Sequence, residues 1–312
     1  MENQLHVIQP EGSQLTGLVT DYLAHCRAGG LSPATVDRSY SPALRDIFLP
    51  WCEQEKISQP AELTERALDR FTTALLARPS KRGGSLSKFT VRSYIGPVRL
   101  FLAWADRRGE QVHALPRRPK VGKRHRDVLS RDEIESMDRA AVNVRDKLIV
   151  RLFADCGLRL GELTRLRLQD IKRSENRTVL HIRGKGDRDR RVPVPPGLAP
   201  RLQRYLASRP KDPETDAVFL GLRRAPHSGL QALGESGAAH MICDLAKRAG
   251  IERPVHPHLL RHSWMTEMLR RGVNPIQLSV IAGASQQVIA QHYSHLNEDD
   301  AFAAMARAFS PG

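Results

Sequence analysis

Residues 157–163, Gly157-Leu158-Arg159-Leu160-Gly161-Glu162-Leu163, set an arginine at a helix break inside an apolar stretch. Taken alone, such an Arg–Glu pair does no more than brace a turn. Gly184-Lys185-Gly186 lacks the GxxxxGK[ST] spacing of a phosphate-cradling loop, and alone it reads as a hairpin turn with a solvated lysine. His258 and His262 stand four apart on a helical pattern, a spacing that would suit a metal. No HExxH glutamate lies between them and no carboxylates or thiols cluster nearby, so the pattern points away from a metal. His258 and Arg261, three apart at a helix start, bring an imidazole beside a guanidinium, an arrangement that suits a phosphate. Tyr293, in His292-Tyr293-Ser294-His295, reads alone as a half-buried aromatic.

A partner rich in phosphate fits the charge. The 312 residues hold 49 Lys and Arg against 34 Asp and Glu, a net +15 that draws the chain to polyanions. The density peaks at residues 106–127, which alone carry +5. There Arg117, Arg118, Lys120, Lys123, Arg124 and Arg126 form a charge run that alone reads as a solvated face, and that would follow DNA phosphates if the partner is a duplex. Pro116 and Pro119 interrupt that segment, which argues against a basic membrane helix. No run of 18 apolar residues could span a membrane, and the polar N-terminus lacks a signal peptide's apolar core. The expected location is cytoplasmic, in association with the nucleoid. Cys26, Cys52, Cys156 and Cys243 form no CxxC pair and read as buried free thiols. Neither a metal nor a cofactor is expected.

The elements that must carry these residues follow from periodicity. Leu15, Leu18, Val19, Tyr22, Leu23 and Cys26 mark one face of a helix closed by Gly29-Gly30. Ser32-Pro33 starts a second helix running towards Trp51, a third covers about residues 62–77, and a fourth carries Tyr94, Val98, Phe101, Leu102 and Ala105 past Gly96-Pro97. Residues 12–108 are thus expected to form a helical domain and residues 109–127 an extended basic linker. Residues 128–312 form a second domain, ending in a tail helix at about residues 301–309. That domain opens with the capping box Ser130-Arg131-Asp132-Glu133. Helices are expected at about 131–140, 144–156, 198–208, 237–249, 259–271, 275–282 and 286–293. Strands at 178–182 and 191–194 flank the turn Gly184–Asp187. The fold class is mostly α, with a small antiparallel sheet in the second domain.

Order and spacing together say more than any one motif. CGLRLGEL, IRGKGDRDRRVPV, HPHLLRHSWMTEML and VIAGASQQVIAQHYSHL succeed one another as do the arginine, lysine, H-x-L-R-H and closing tyrosine boxes of the tyrosine recombinase (phage integrase) family. The chain resembles the compact, two-domain, Xer-like type of that family along nearly its whole length. Only about a dozen residues precede the first helix, so no arm-binding domain is expected. The resemblance implies a helical core-binding domain and a catalytic domain that cut and rejoin DNA through a covalent 3′-phosphotyrosyl ester, without metal or ATP. Carried over by position, Arg159 and Arg261 clamp the scissile phosphate. Lys185 is the general acid, His258 the first histidine, Tyr293 the nucleophile, and Glu162 the acidic support of Arg159. The family keeps a His or Trp after the glycine of its closing box, nine residues before the tyrosine; here Ala284 follows Gly283. Ser285 and His292 are the candidates to stand in. The implied partners are duplex DNA with specific recombination sites, three further copies of the chain in a tetramer, and accessory DNA-bending proteins. Two alternatives stand beside this reading. One is a catalytically weakened DNA-binding homologue, motivated by Ala284; the other is a type IB topoisomerase-like nicking-closing enzyme.

Overall fold

A computed structural model describes residues 13–80, 83–122, 127–175, 177–184, 189–210, 215–225 and 229–292. The chain divides into two compact units, Met1–Lys123 and Arg124–Gly312. The fold is mostly helical with a small antiparallel sheet, as the periodicity predicts.

The first unit is built from helix Gln14–Ala28, a helical stretch over residues 33–54, helix Glu65–Ala77 and helix Lys88–Arg107. Ser13, Ser32, Thr64 and Ser87 each accept a backbone N–H of the turn they open, which fixes where these helices start. The second stretch departs from the α-helix. Ser41 N donates to Val36 O and Leu49 N to Leu44 O, each five residues back. Pro42 and Pro50 lack the N–H that a regular ladder would use, and the chain widens its turns around them. Leu15, Val19, Phe48, Phe71, Val91 and Phe101 close the core, with Phe48 edge-on to Phe71 at 5.4 Å.

Residues 110–122 carry no helix or strand, yet they are not free of this unit. Val112, Ala114 and Leu115 pack against its core, and Arg99 Nη1 donates to Pro116 O at 2.6 Å. Arg117 pairs with Glu65 and lies 3.8 Å from Asp69. Arg118 and Lys120 are exposed, while Lys123, Arg124 and Arg126 lie outside the described residues.

In the second unit, Ser130 and Glu133 form the expected capping box on helix Arg131–Ala140. Helix Val144–Cys156 is buried on nearly every side, and Gly157, at φ +60°, ends it. A β-carbon at Gly157 would fall on the Trp264 ring, so this position needs glycine for both conformation and space. The sheet is a meander of β1 (Ile171–Ser174), β2 (Arg177–Ile182) and β3 (Arg190–Val194), with Leu180 opposite Val192 and Ile182 opposite Arg190. The periodicity shows β2 and β3 but not β1, whose Ile-Lys-Arg-Ser has one partly buried residue. It also leaves out the two-stranded ribbon Leu220–Ala225 with Gly229–Ala232, and the short helix Leu160–Thr164. Helices Ala199–Ser208, Glu235–Arg248 and Pro257–Arg270 complete the main core around Phe153, Leu180, Val192, Phe219, Ile242 and Leu260. Helices Pro275–Ala282 and Gln286–Ala290 close a smaller cluster of Trp264, Met265, Leu269, Leu278, Ala282 and Ile289. No described helix is long and apolar enough to cross a membrane.

Candidate active site

Two of the sequence-predicted arginines meet at one helix end. Arg159 is the N-cap of helix Leu160–Thr164, set there by the break at Gly157. Its backbone N–H and its Nη1 both donate to the Glu162 carboxylate, each at 2.7 Å. Its Nη2 donates to Gly283 O. Arg261, on helix Pro257–Arg270, is only 2% exposed. Its Nη1 donates to Gly157 O and its Nη2 to Ala282 O, the latter at 2.5 Å. The carbonyls of Ala282 and Gly283 end helix Pro275–Ala282, where the helix dipole is negative and attracts cations.

A third arginine joins them. Arg190, at the start of β3, sends Nη1 and Nη2 to the two oxygens of Glu162 at 2.6 and 2.8 Å, and Nε to Ile281 O at 2.8 Å. Three successive carbonyls, 281 to 283, thus each accept from a different arginine. Motif matching overlooks Arg190, although strand alternation reveals it. It shares a face with the buried Val192 and Val194, where a charged side chain needs a reason to be.

The charges fix one another. Burial pushes the Glu162 carboxyl up, but the Arg190 fork, the Arg159 backbone N–H and the Arg159 side chain outweigh it and hold the carboxyl at about 2. Burial, together with the neighbouring Arg159 and Arg190 cations, lowers Arg261 to about 9 against the opposing pull of Glu162. Arg261 therefore remains charged at neutral pH. Three guanidiniums and one carboxylate leave a local charge of +2, suited to a dianionic phosphate-like group.

The remaining residues divide. His258 is exposed in the first turn of the Arg261 helix, one turn before that arginine. His256 caps the same helix through its ring Nδ1, which accepts from Leu259 N at 3.1 Å. Ala284 packs against the cluster containing Trp264 and Ile289. Ser285 is exposed, and its Oγ caps the following helix by accepting from Val288 N. His292 is 1% exposed; its ring lies 4.1 Å from that of His262, and its Nδ1 is 3.1 Å from Thr266 Oγ1. Lys185, Tyr293 and the expected tail helix lie outside the described residues. Among the described residues, no group of three or more His, Cys, Asp or Glu could hold a metal ion.

A catalytic domain of this fold, with two clustered arginines ahead of a closing tyrosine box, defines a class of DNA strand-exchange enzymes. Residues 127–300 match the phage integrase family, and the chain belongs to that family. It is a tyrosine-type site-specific recombinase acting on DNA. Tyrosine recombinase XerA of Saccharolobus solfataricus is 30% identical over 273 residues, covering 84% of this chain and 82% of that protein. The crystal structure of XerA recombinase matches at 28% identity and a TM-score of 0.50, covering 95% of this chain and 99% of that one. A likeness in fold extends to XerH bound to palindromic difH substrate in a post-cleavage complex. There the TM-score is 0.69 at 18% identity, over 92% of this chain and 83% of that one.

Proposed function

We propose that this chain exchanges strands between two duplexes as a tetramer, through a 3′-phosphotyrosyl ester formed by Tyr293. The observation that carries the reading is the convergence of Arg159 and Arg261, from separate helices, on the adjacent carbonyls Gly283 and Ala282. Attack on a phosphodiester builds a five-coordinate state with added charge on the non-bridging oxygens. Two forked guanidiniums, both charged at neutral pH, stabilise that state without a metal. A tyrosine of pKa near 10 is ionised only about one part in a thousand at pH 7, so the electropositive site and His258 as base must assist it. Lys185 protonates the departing 5′-oxygen. The ester conserves the energy of the broken bond, so the 5′-hydroxyl of a second strand attacks without ATP. Fold neighbours solved on recombination sites support DNA as the partner; one such complex is a lambda integrase dimer on a COC′ core site.

The test is covalent capture. DNA flanking the gene, presented as nicked duplexes, should yield a 3′-phosphotyrosyl adduct whose junction maps the target site. Tyr293→Phe should bind that DNA normally and give none. An adduct that persists in Tyr293→Phe refutes the assignment. A wild-type protein that binds the site without ever forming an adduct would favour the weakened homologue.

A further inference from the structure

We propose that Arg190 is a positioning residue for strand cleavage: it neutralises Glu162, so that Glu162 can orient Arg159 without cancelling the charge Arg159 brings to the phosphate. This rests on the proposed transesterification, in which Arg159 touches the scissile group and Arg190 does not.

The argument begins from how the carboxylate is shared. Glu162 is nearly buried, its side chain 6% exposed, and a carboxylate there must be paired. Arg190 grips it as a two-pronged fork and is itself 7% exposed, whereas Arg159 spends one prong and its backbone N–H and keeps 43% of its side chain exposed. The two arginines therefore divide the work. Arg190 has all three of its guanidinium nitrogens engaged, by Glu162 and Ile281 O, and faces the interior. Arg159 has an open side from which to meet a solvent-borne ligand.

Removing Arg190 would leave Arg159 as the one cation bonded to Glu162 among the described residues. The buried carboxylate would then take up the Arg159 fork, and the +2 site would fall to +1. Arg190 also passes close to Gly283. A β-carbon at Gly283, where φ is +59°, would come within 3.0 Å of Arg190 Cδ, so the arginine stem lies against that glycine. Because Arg190 acts only through Glu162 in this account, its loss matters only while Glu162 carries its charge.

That dependence gives a test which a merely structural role would not satisfy. Single-turnover cleavage and DNA affinity are measured on a nicked duplex carrying the site mapped by covalent capture. The proteins are the full-length wild type, Arg190→Gln, Glu162→Gln and the double variant. Arg190→Gln should cleave about tenfold more slowly or worse, with the DNA Kd changed less than about threefold. The double variant should cleave faster than Arg190→Gln and within about threefold of Glu162→Gln. Wild-type cleavage by Arg190→Gln, or a double variant no faster than it, overturns the proposal. If Arg190→Gln does not fold, the remaining pair decides, since the double variant buries no unpaired carboxylate. A double variant tenfold or more slower than Glu162→Gln then overturns it. A wild type that forms no adduct at Tyr293 refutes the transesterification reading instead, so the two failures are told apart.

Discussion

Acidification should weaken the catalytic unit through one carboxyl group, and Glu162→Gln isolates it. In the folded chain Glu162 titrates at about 2, against an ordinary 4.5. Its folded value lies below its unfolded one, so the stabilisation is fully present above about pH 5 and is lost as the pH falls towards 2. The difference is worth about 3 kcal/mol, of which about 2 kcal/mol is gone by pH 3. That is a large share of the roughly 5–15 kcal/mol that holds a domain together. Glu133, held low by Arg253, also loses stability on acidification, but equally in both proteins. The measurement is urea unfolding between pH 6 and pH 3. Trp51 and Trp104 are replaced by Phe in both proteins, so that Trp264 alone reports on the catalytic unit. Wild type should be the more stable at pH 6, and its advantage over Glu162→Gln should shrink by about 2 kcal/mol at pH 3. Parallel curves, or an advantage that grows on acidification, would refute the claim that the Arg159 and Arg190 bonds outweigh burial.

Gly157→Ala should destabilise the catalytic unit by about 2–5 kcal/mol, combining left-handed strain with collision against Trp264; a loss below 1 kcal/mol in the same unfolding assay would contradict the packing. Arg159→Lys and Arg261→Lys keep a charge but lose the fork, so single-turnover cleavage should fall by about a hundredfold or more while DNA affinity in a gel-shift titration changes little. Ala284→His should not accelerate cleavage, because the methyl it replaces packs on the Trp264 and Ile289 cluster; a rise of more than about fivefold would show that the site lacks a donor that histidine supplies. His292→Ala should slow cleavage with DNA binding kept, since that ring anchors the residue just before Tyr293 to His262 and Thr266; wild-type cleavage would show that the anchor is dispensable.

Most of the fold is legible because the catalytic unit buries helices on one face, and a 3.6-residue period survives wherever one face is dry. Legibility fails where that condition does. β1 sits at the edge of its sheet with one partly buried residue, so it leaves no alternation to read. Helix Val144–Cys156 is an exception: it is buried nearly all round, yet it spans the residues the sequence assigns to it, with Asn143 capping its start and Gly157 ending it. The basic segment after residue 109 reads as an extended linker, yet its carbonyls at Pro116 and Pro119 accept from Arg99 and Arg92. Those bonds join backbone to side chains 17 and 27 residues earlier, which periodicity cannot register. The arginine and histidine boxes are visible as motifs. What they omit is the charge that makes them workable, because Arg190 meets Glu162 across 28 residues and two strands.

The pairing of arginines with backbone carbonyls bears on how such a site waits for DNA. Packed bare, three guanidiniums would repel one another, and a buried cation without acceptors is costly. Here the carbonyls of residues 157, 281, 282 and 283 satisfy the donors, and the end of the helix dipole adds negative potential where the cations gather. None of these acceptors carries a formal charge, so none cancels the net +2. A phosphate arriving at the open side of Arg159 therefore meets donors already held in place, and its gain is chiefly electrostatic, growing as charge develops on the phosphoryl oxygens. Neutral acceptors keep the arginines in position, and the carboxylate that could have neutralised one of them is itself held by Arg190. Under the proposed mechanism this places the charge needed in the transition state before the substrate binds, with little reorganisation left for the chemical step.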